Sequence, residues 1–128
     1  MSGPHLGFIG LGQIGAPMAK RWCDQPGGLS VFDVVDAATA PFAAAGAHVA
    51  ISPAGVAERA TVISLMVRDD AQVRSVVSGS DGILATASAG TVVIIHSTVE
   101  ADTPAEIAAL CAPHGVAVLD APVSGGAM

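Results

Sequence analysis

Apolar residues along this chain come in short runs bounded by glycine, proline and small polar residues, and between the runs they return at helical spacing. Leu6-Gly7-Phe8-Ile9-Gly10 is the first such run. Beyond it Ile14, Met18 and Trp22 recur every four residues, which places them on one face of a helix, and Leu29-Ser30-Val31-Phe32 then reads as a second strand ending at Asp33. Continued along the chain, the pattern predicts strand 6–10, helix 13–24, strand 29–33, helix 37–45, strand 48–51, helix 53–59, strand 61–66, helix 69–78, strand 91–95, helix 103–113 and strand 116–120. Strands alternating with helices specify a doubly wound, mostly parallel α/β sheet with helices on both faces. Two helix starts carry local signals. Ser52-Pro53 supplies an N-cap followed by proline at the first helical position, and Thr103-Pro104-Ala105-Glu106 fits a capping box.

The first turn also carries chemistry. Gly10-Leu11-Gly12-Gln13-Ile14-Gly15 follows a strand and opens a helix, the setting in which G-x-G-x-x-G binds a dinucleotide. Gly10 permits the tight turn, Gly12 has no Cβ to hold a pyrophosphate off the backbone, and Gly15 lets the helix pack close to the strand. The anion would then meet unpaired N–H groups at the helix start. Asp33 closes the second strand about 20 residues further on, where a carboxylate accepts hydrogen bonds from both ribose hydroxyls and repels a 2′-phosphate. The expected fold is therefore Rossmann-like, and NAD is the expected cofactor in preference to NADP.

Composition narrows the picture. With 128 residues the chain suits one domain, and 52% hydrophobic against 12% charged residues fits strands covered on both sides. The formal charge is −6, and the five basic residues Lys20, Arg21, Arg59, Arg68 and Arg74 are scattered, so no basic stripe invites nucleic acid. Cys23 and Cys111 fall in expected helices, far apart and without a C-x-x-C partner; buried free thiols in a reducing compartment are the expectation. The histidines His5, His48, His96 and His114 lack ligand spacing, so no metal site is expected. No apolar run reaches the roughly 18 residues that span a bilayer, and Met1-Ser2-Gly3-Pro4-His5 lacks the regions of a secretion signal, which makes the cytoplasm the default location.

Three further pieces share the carboxyl edge of the expected sheet. They are Leu65-Met66-Val67 after the fourth strand, Ser97-Thr98 after the fifth, and Asp120-Ala121-Pro122-Val123-Ser124-Gly125-Gly126 after the sixth. Singly each has a plain reading as strand core, capping turn or loop. Together with Gly15-Ala16-Pro17-Met18-Ala19 they resemble the β-hydroxyacid dehydrogenases of the 3-hydroxyisobutyrate dehydrogenase type, across essentially the whole chain. The resemblance implies reversible hydride transfer between a small β-hydroxy acid and the nicotinamide of NAD(P). It implies that Ser124, Gly125 and Gly126 bind substrate, a role suited to a hydroxyl and approachable N–H groups that hold a carboxylate. It further implies that Leu65, Met66 and Val67 line the cofactor channel and that Thr98 lies near the nicotinamide ribose.

The family's general acid/base is a lysine on a later helix, followed by an asparagine, and both would fall beyond Met128. Lys20, the only lysine, reads as a solvated surface charge on the first helix. The polypeptide ends at Gly125-Gly126-Ala127-Met128 just after a strand. That suggests a fragment or truncation, residues 1–128 being an incomplete nucleotide-binding domain without the helical domain that dimerises in relatives, and inactive by itself. The complete protein is expected to form homo-oligomers. Val67 stands where relatives usually carry proline, and Ile95-His96 where Asp-Ser often precedes the Ser-Thr pair, so His96 either meets the cofactor or finishes a strand. Ala101 likewise replaces a common proline. Two alternatives stay open: a non-catalytic dinucleotide-binding module, and an enzyme of the 6-phosphogluconate dehydrogenase or imine reductase kind.

Overall fold

The structure, a computed structural model, describes residues 3–122. Each apolar run becomes a strand: β1 Leu6–Ile9, β2 Leu29–Phe32, β3 His48–Val49, β4 Val62–Leu65, β5 Val92–Ile95 and β6 Ala117–Asp120. Between them lie α1 Gly15–Lys20, α2 Asp36–Ala44, α3 Pro53–Ala57, α4 Asp70–Ser78 and α5 Thr103–Cys111. The strands form one sheet in the order β3-β2-β1-β4-β5-β6, with every pair parallel. The chain enters at the middle, builds outward through β2 and β3, then returns to lay β4 on the other side of β1. At that reversal the connections leave β1 and β4 in opposite directions, and a crevice opens at their carboxyl ends.

Side-chain alternation along the strands feeds two cores. On one face Phe8, Leu29 and Val31 pack with Ala19 of α1 and Phe42 of α2. On the other, Ile63, Leu65, Val93 and Ile95 pack with Val56 of α3, Val73 and Val77 of α4, and Ile107 of α5. Gly7 sits where a Cβ would press into Val56 and Ala60, so its bare backbone lets α3 approach β1.

Several boundaries move for identifiable reasons. The helix expected over 13–24 is regular only over Gly15–Lys20; Arg21, Trp22 and Cys23 then donate to Met18, Ala19 and Lys20, three residues back, tightening the chain into turns. Cys23 is consequently half-buried outside the helix, whereas Cys111 is buried within α5. Burial pushes the Cys111 thiol up from its ordinary pKa. The Ser52 cap forms as expected, its Oγ accepting from Gly55 N at 3.1 Å, with Pro53 in the first turn. The capping box at Thr103 does not form. The N-cap is Asp102, without a side-chain bond, while the Thr103 hydroxyl donates to Asp70 of α4 and Glu106 pairs with Arg74 at 2.7 Å. Packing α4 beside α5 offered both side chains partners across the interface, and those displaced the local cap. Asp69, unanticipated, caps α4 by accepting from Gln72 N at 2.9 Å.

At the amino edge of the sheet a buried serine joins two histidines. His5 Nδ1 donates to Gly27 O at 2.9 Å, leaving Nε2 to accept from Ser30 Oγ at 2.7 Å, and His48 Nδ1 lies 3.2 Å from the same hydroxyl. Burial, with the charges of Arg59 and His5, lowers the His48 pKa below its ordinary 6.5, against a smaller opposing pull from Glu58. A histidine whose folded pKa is depressed costs stability once the unfolded chain binds the proton more readily. Stability should therefore be full above pH 6.5 and decline as pH falls through the folded value. Thermal midpoints between neutral and mildly acidic pH check this: the native chain should lose midpoint on acidification, and His48→Gln should lose less.

Candidate functional site

Three glycines shape the turn between β1 and α1. Gly10 has φ +99°, and a Cβ there would collide with the carbonyl of Met66. Its N–H donates to Phe32 O at 3.1 Å, so the turn starts tied to β2. A Cβ on Gly15 would land on the Gly10 carbonyl, which is why the helix begins this close to the strand. Gly12 differs: nothing lies within 4 Å of where its Cβ would stand. No side chain caps the start of α1.

Asp33 bridges the turn to the end of β2. Its Oδ2 accepts from Leu11 N at 2.6 Å and its Oδ1 from Val35 N at 2.8 Å. Each oxygen keeps a further lone pair, so the carboxylate retains capacity for a ligand's hydroxyls. A crevice of about 270 Å³ opens beside it, lined among others by Gly10, Gly12, Val34, Val35, Met66 and Arg68. Opposite, Ser97 of the segment after β5 accepts from Val67 N at 2.9 Å and holds the loop after β4 in place.

Of the residues singled out from sequence, Gly10, Gly12, Asp33, Met66 and Val67 come together at this crevice. Leu11 turns its side chain into the core and presents its N–H to Asp33. Gln13 is exposed, Ile14 half-buried and Gly15 buried at the start of α1. Leu65 is fully buried in the core and does not reach the crevice wall, because its neighbours on both sides are sheet strands. Thr98 is exposed, and it is the preceding Ser97 that engages the β4 loop. Ser124, Gly125 and Gly126 lie outside the described residues. Sequence reasoning passed over Val34 and Val35, which are 73% and 57% exposed at the crevice. Two valines directly after the strand-end carboxylate, where a solvated turn would ordinarily be polar, were the available signal.

The arrangement fits a dinucleotide. An open face above Gly12, a helix start without a side-chain cap and a strand-end carboxylate match a pyrophosphate and its adjoining ribose. Val34 and Val35 put apolar surface directly after Asp33, and Arg68 lines the same crevice. Residues 5–128 match the NAD-binding domain of 6-phosphogluconate dehydrogenase. The chain belongs to this family.

This NAD-binding domain is 53% identical over 124 residues to an uncharacterized oxidoreductase of Mycobacterium tuberculosis, covering 97% of the chain and 42% of that protein. It is 40% identical over 121 residues to mouse mitochondrial 3-hydroxyisobutyrate dehydrogenase, covering 94% of the chain and 36% of the relative. Among solved structures, 3-hydroxyisobutyrate dehydrogenase of M. tuberculosis with L-serine superposes with a TM-score of 0.81 at 36% identity, over 97% of the chain and 42% of that structure. The chain thus spans about two fifths of the length of these relatives. Among the described residues no group of three or more His, Cys, Asp or Glu could hold a metal ion, and no helix is long and apolar enough to cross a membrane.

Proposed function

We propose that in its whole protein this NAD-binding domain serves an oxidoreductase that moves hydride between a small β-hydroxy acid and NAD. The observation that carries the reading is the crevice between β1 and β4, where the glycine turn and Asp33 face one space. Backbone N–H groups of Gly12, Gln13, Ile14 and Gly15 are the donors for the pyrophosphate, Gly10 and Leu11 shape the turn with their own N–H groups held by Phe32 O and Asp33, and Asp33 accepts the ribose hydroxyls. Met66 and Val67 flank the path toward the nicotinamide, with Leu65 supporting them from the core and Thr98 beyond. When bound, NAD supplies the hydride acceptor for the hydroxyl-bearing carbon. Ser124, Gly125 and Gly126 hold the substrate carboxylate beside it, and a lysine downstream of Met128 moves the hydroxyl proton. Residues 1–128 then form an incomplete nucleotide domain, inactive by itself and completed by a helical domain through which the protein self-associates. Free, buried Cys111 suits a reducing, cytoplasmic setting.

The test extends the chain to the length of its relatives and follows NADH absorbance with 3-hydroxyisobutyrate and with L-serine. NADH should accumulate with at least one of them. An extended protein that binds NAD and oxidises neither would overturn hydride transfer in favour of a nucleotide-binding module without catalysis.

A further inference from the structure

Beyond β5, His96 leaves the sheet edge with both ring nitrogens engaged. Its Nδ1 lies 3.0 Å from Ala121 O and its Nε2 3.1 Å from Ser64 Oγ. A carbonyl oxygen only accepts, so Nδ1 carries the hydrogen. With the hydrogen on Nδ1 alone, Nε2 offers its lone pair and the Ser64 hydroxyl donates to it. Ser64 is fully buried in β4, beside Phe8 in register, and the His96 ring lies nearly parallel to that phenyl ring, 6° from it with centroids 6.5 Å apart. The imidazole is thus seated on the two central strands and reaches out to the chain leaving β6. Ala121 is held from both sides of its peptide, since its own N–H donates to Ile95 O at 2.9 Å. Pro122 follows, with its φ already restricted by the ring.

We propose that His96 is a positioning residue: by clamping Ala121 to the buried serine of β4 it fixes the end of β6, the described part of the chain nearest in sequence to Ser124. The inference rests on the preceding reading, that the Ser124 loop holds the substrate. It explains why a bulky heteroaromatic side chain stands directly before Ser97, in a place where strand termination alone would need no ring. The other faces of the imidazole are consistent with this role. Pro17, Met18, Arg21 and Trp22 of the α1 region line an open cleft with it and leave the ring's two polar contacts as its specific attachments.

The clamp is tested in this chain first. Nitrogen-15 NMR of the imidazole should report hydrogen on Nδ1 and none on Nε2; the opposite tautomer overturns the proposal. Hydrogen exchange at the Ala121 amide should accelerate about tenfold in His96→Ala, the size of one lost hydrogen bond. It should return toward the native rate in His96→Asn, whose side-chain amide can set a donor on the same branch as Nδ1. Unchanged exchange in His96→Ala also overturns the clamp. In the extended protein, His96→Ala should lower kcat/KM for the hydroxy acid about tenfold while the KM for NAD stays put, with rescue by His96→Asn; a general loss of fold would move both constants and spare neither variant. An extended native protein that oxidises no hydroxy acid would instead sink the functional reading, and the tautomer and exchange measurements would still decide the clamp.

Discussion

Gly12→Val is expected to leave the chain folded and to weaken NAD binding by at least about 100-fold, or roughly 3 kcal/mol. Folding should survive because Gly12 is not among the glycines with positive φ and its added Cβ meets nothing within 4 Å. The Ala16 N–H would still reach Gly12 O, now at 2.9 Å, so the first turn of α1 keeps its closure. Binding should fail because in the proposed site that open space is where the pyrophosphate approaches the backbone, and a branched side chain would hold it beyond hydrogen-bonding reach. Losing two charge-assisted hydrogen bonds of about 1.5–3 kcal/mol each accounts for the magnitude. Thermal melting and titration calorimetry on the same sample separate the two effects. A variant that still bound NAD at native affinity would show that the anion sits elsewhere.

Asp33→Ala is expected to lower NAD affinity by about 10- to 100-fold and to reduce the margin by which NAD binds better than NADP. Two losses combine. The ribose hydroxyls lose their acceptor, and Leu11 N and Val35 N, now 2.6 and 2.8 Å from the carboxylate, lose the group that fastens the glycine turn to β2. A fall in thermal stability of about 1–3 kcal/mol should accompany the change. Calorimetry with each nucleotide reads the outcome. If the native chain preferred NADP, or if the substitution left NAD affinity untouched, the assignment of Asp33 to the ribose would be wrong.

How much of this was visible in the residues can be argued piece by piece. The glycine turn was legible because each glycine answers a local steric demand at a fixed offset from a strand, and G-x-G-x-x-G repeats those offsets. Asp33 was legible for a similar reason, by its distance from the turn. Its bond to Leu11 N was not, since the reach between β1 and β2 depends on their parallel register, Leu6 beside Leu29 and Ile9 beside Phe32. Thr103 shows the opposite case. Its spacing to Glu106 satisfies a local cap, yet Asp70, 33 residues away, provides a better partner once the helices pack. Ser97 and Val67 are likewise 30 residues apart, and nothing local connects them.

By itself, the order of residues determined the alternation of strand and helix and the backbone path around Gly10 and Gly15, because these follow from periodicity and sterics within a few residues. Only the tertiary structure decided which hydroxyls and carboxylates satisfy one another across the carboxyl edge: Asp33 with Leu11, Ser97 with Val67, and His96 with Ser64 and Ala121. A buried polar group takes whichever partner the fold brings within about 3 Å, and that distance is set by packing between segments rather than by spacing along the chain.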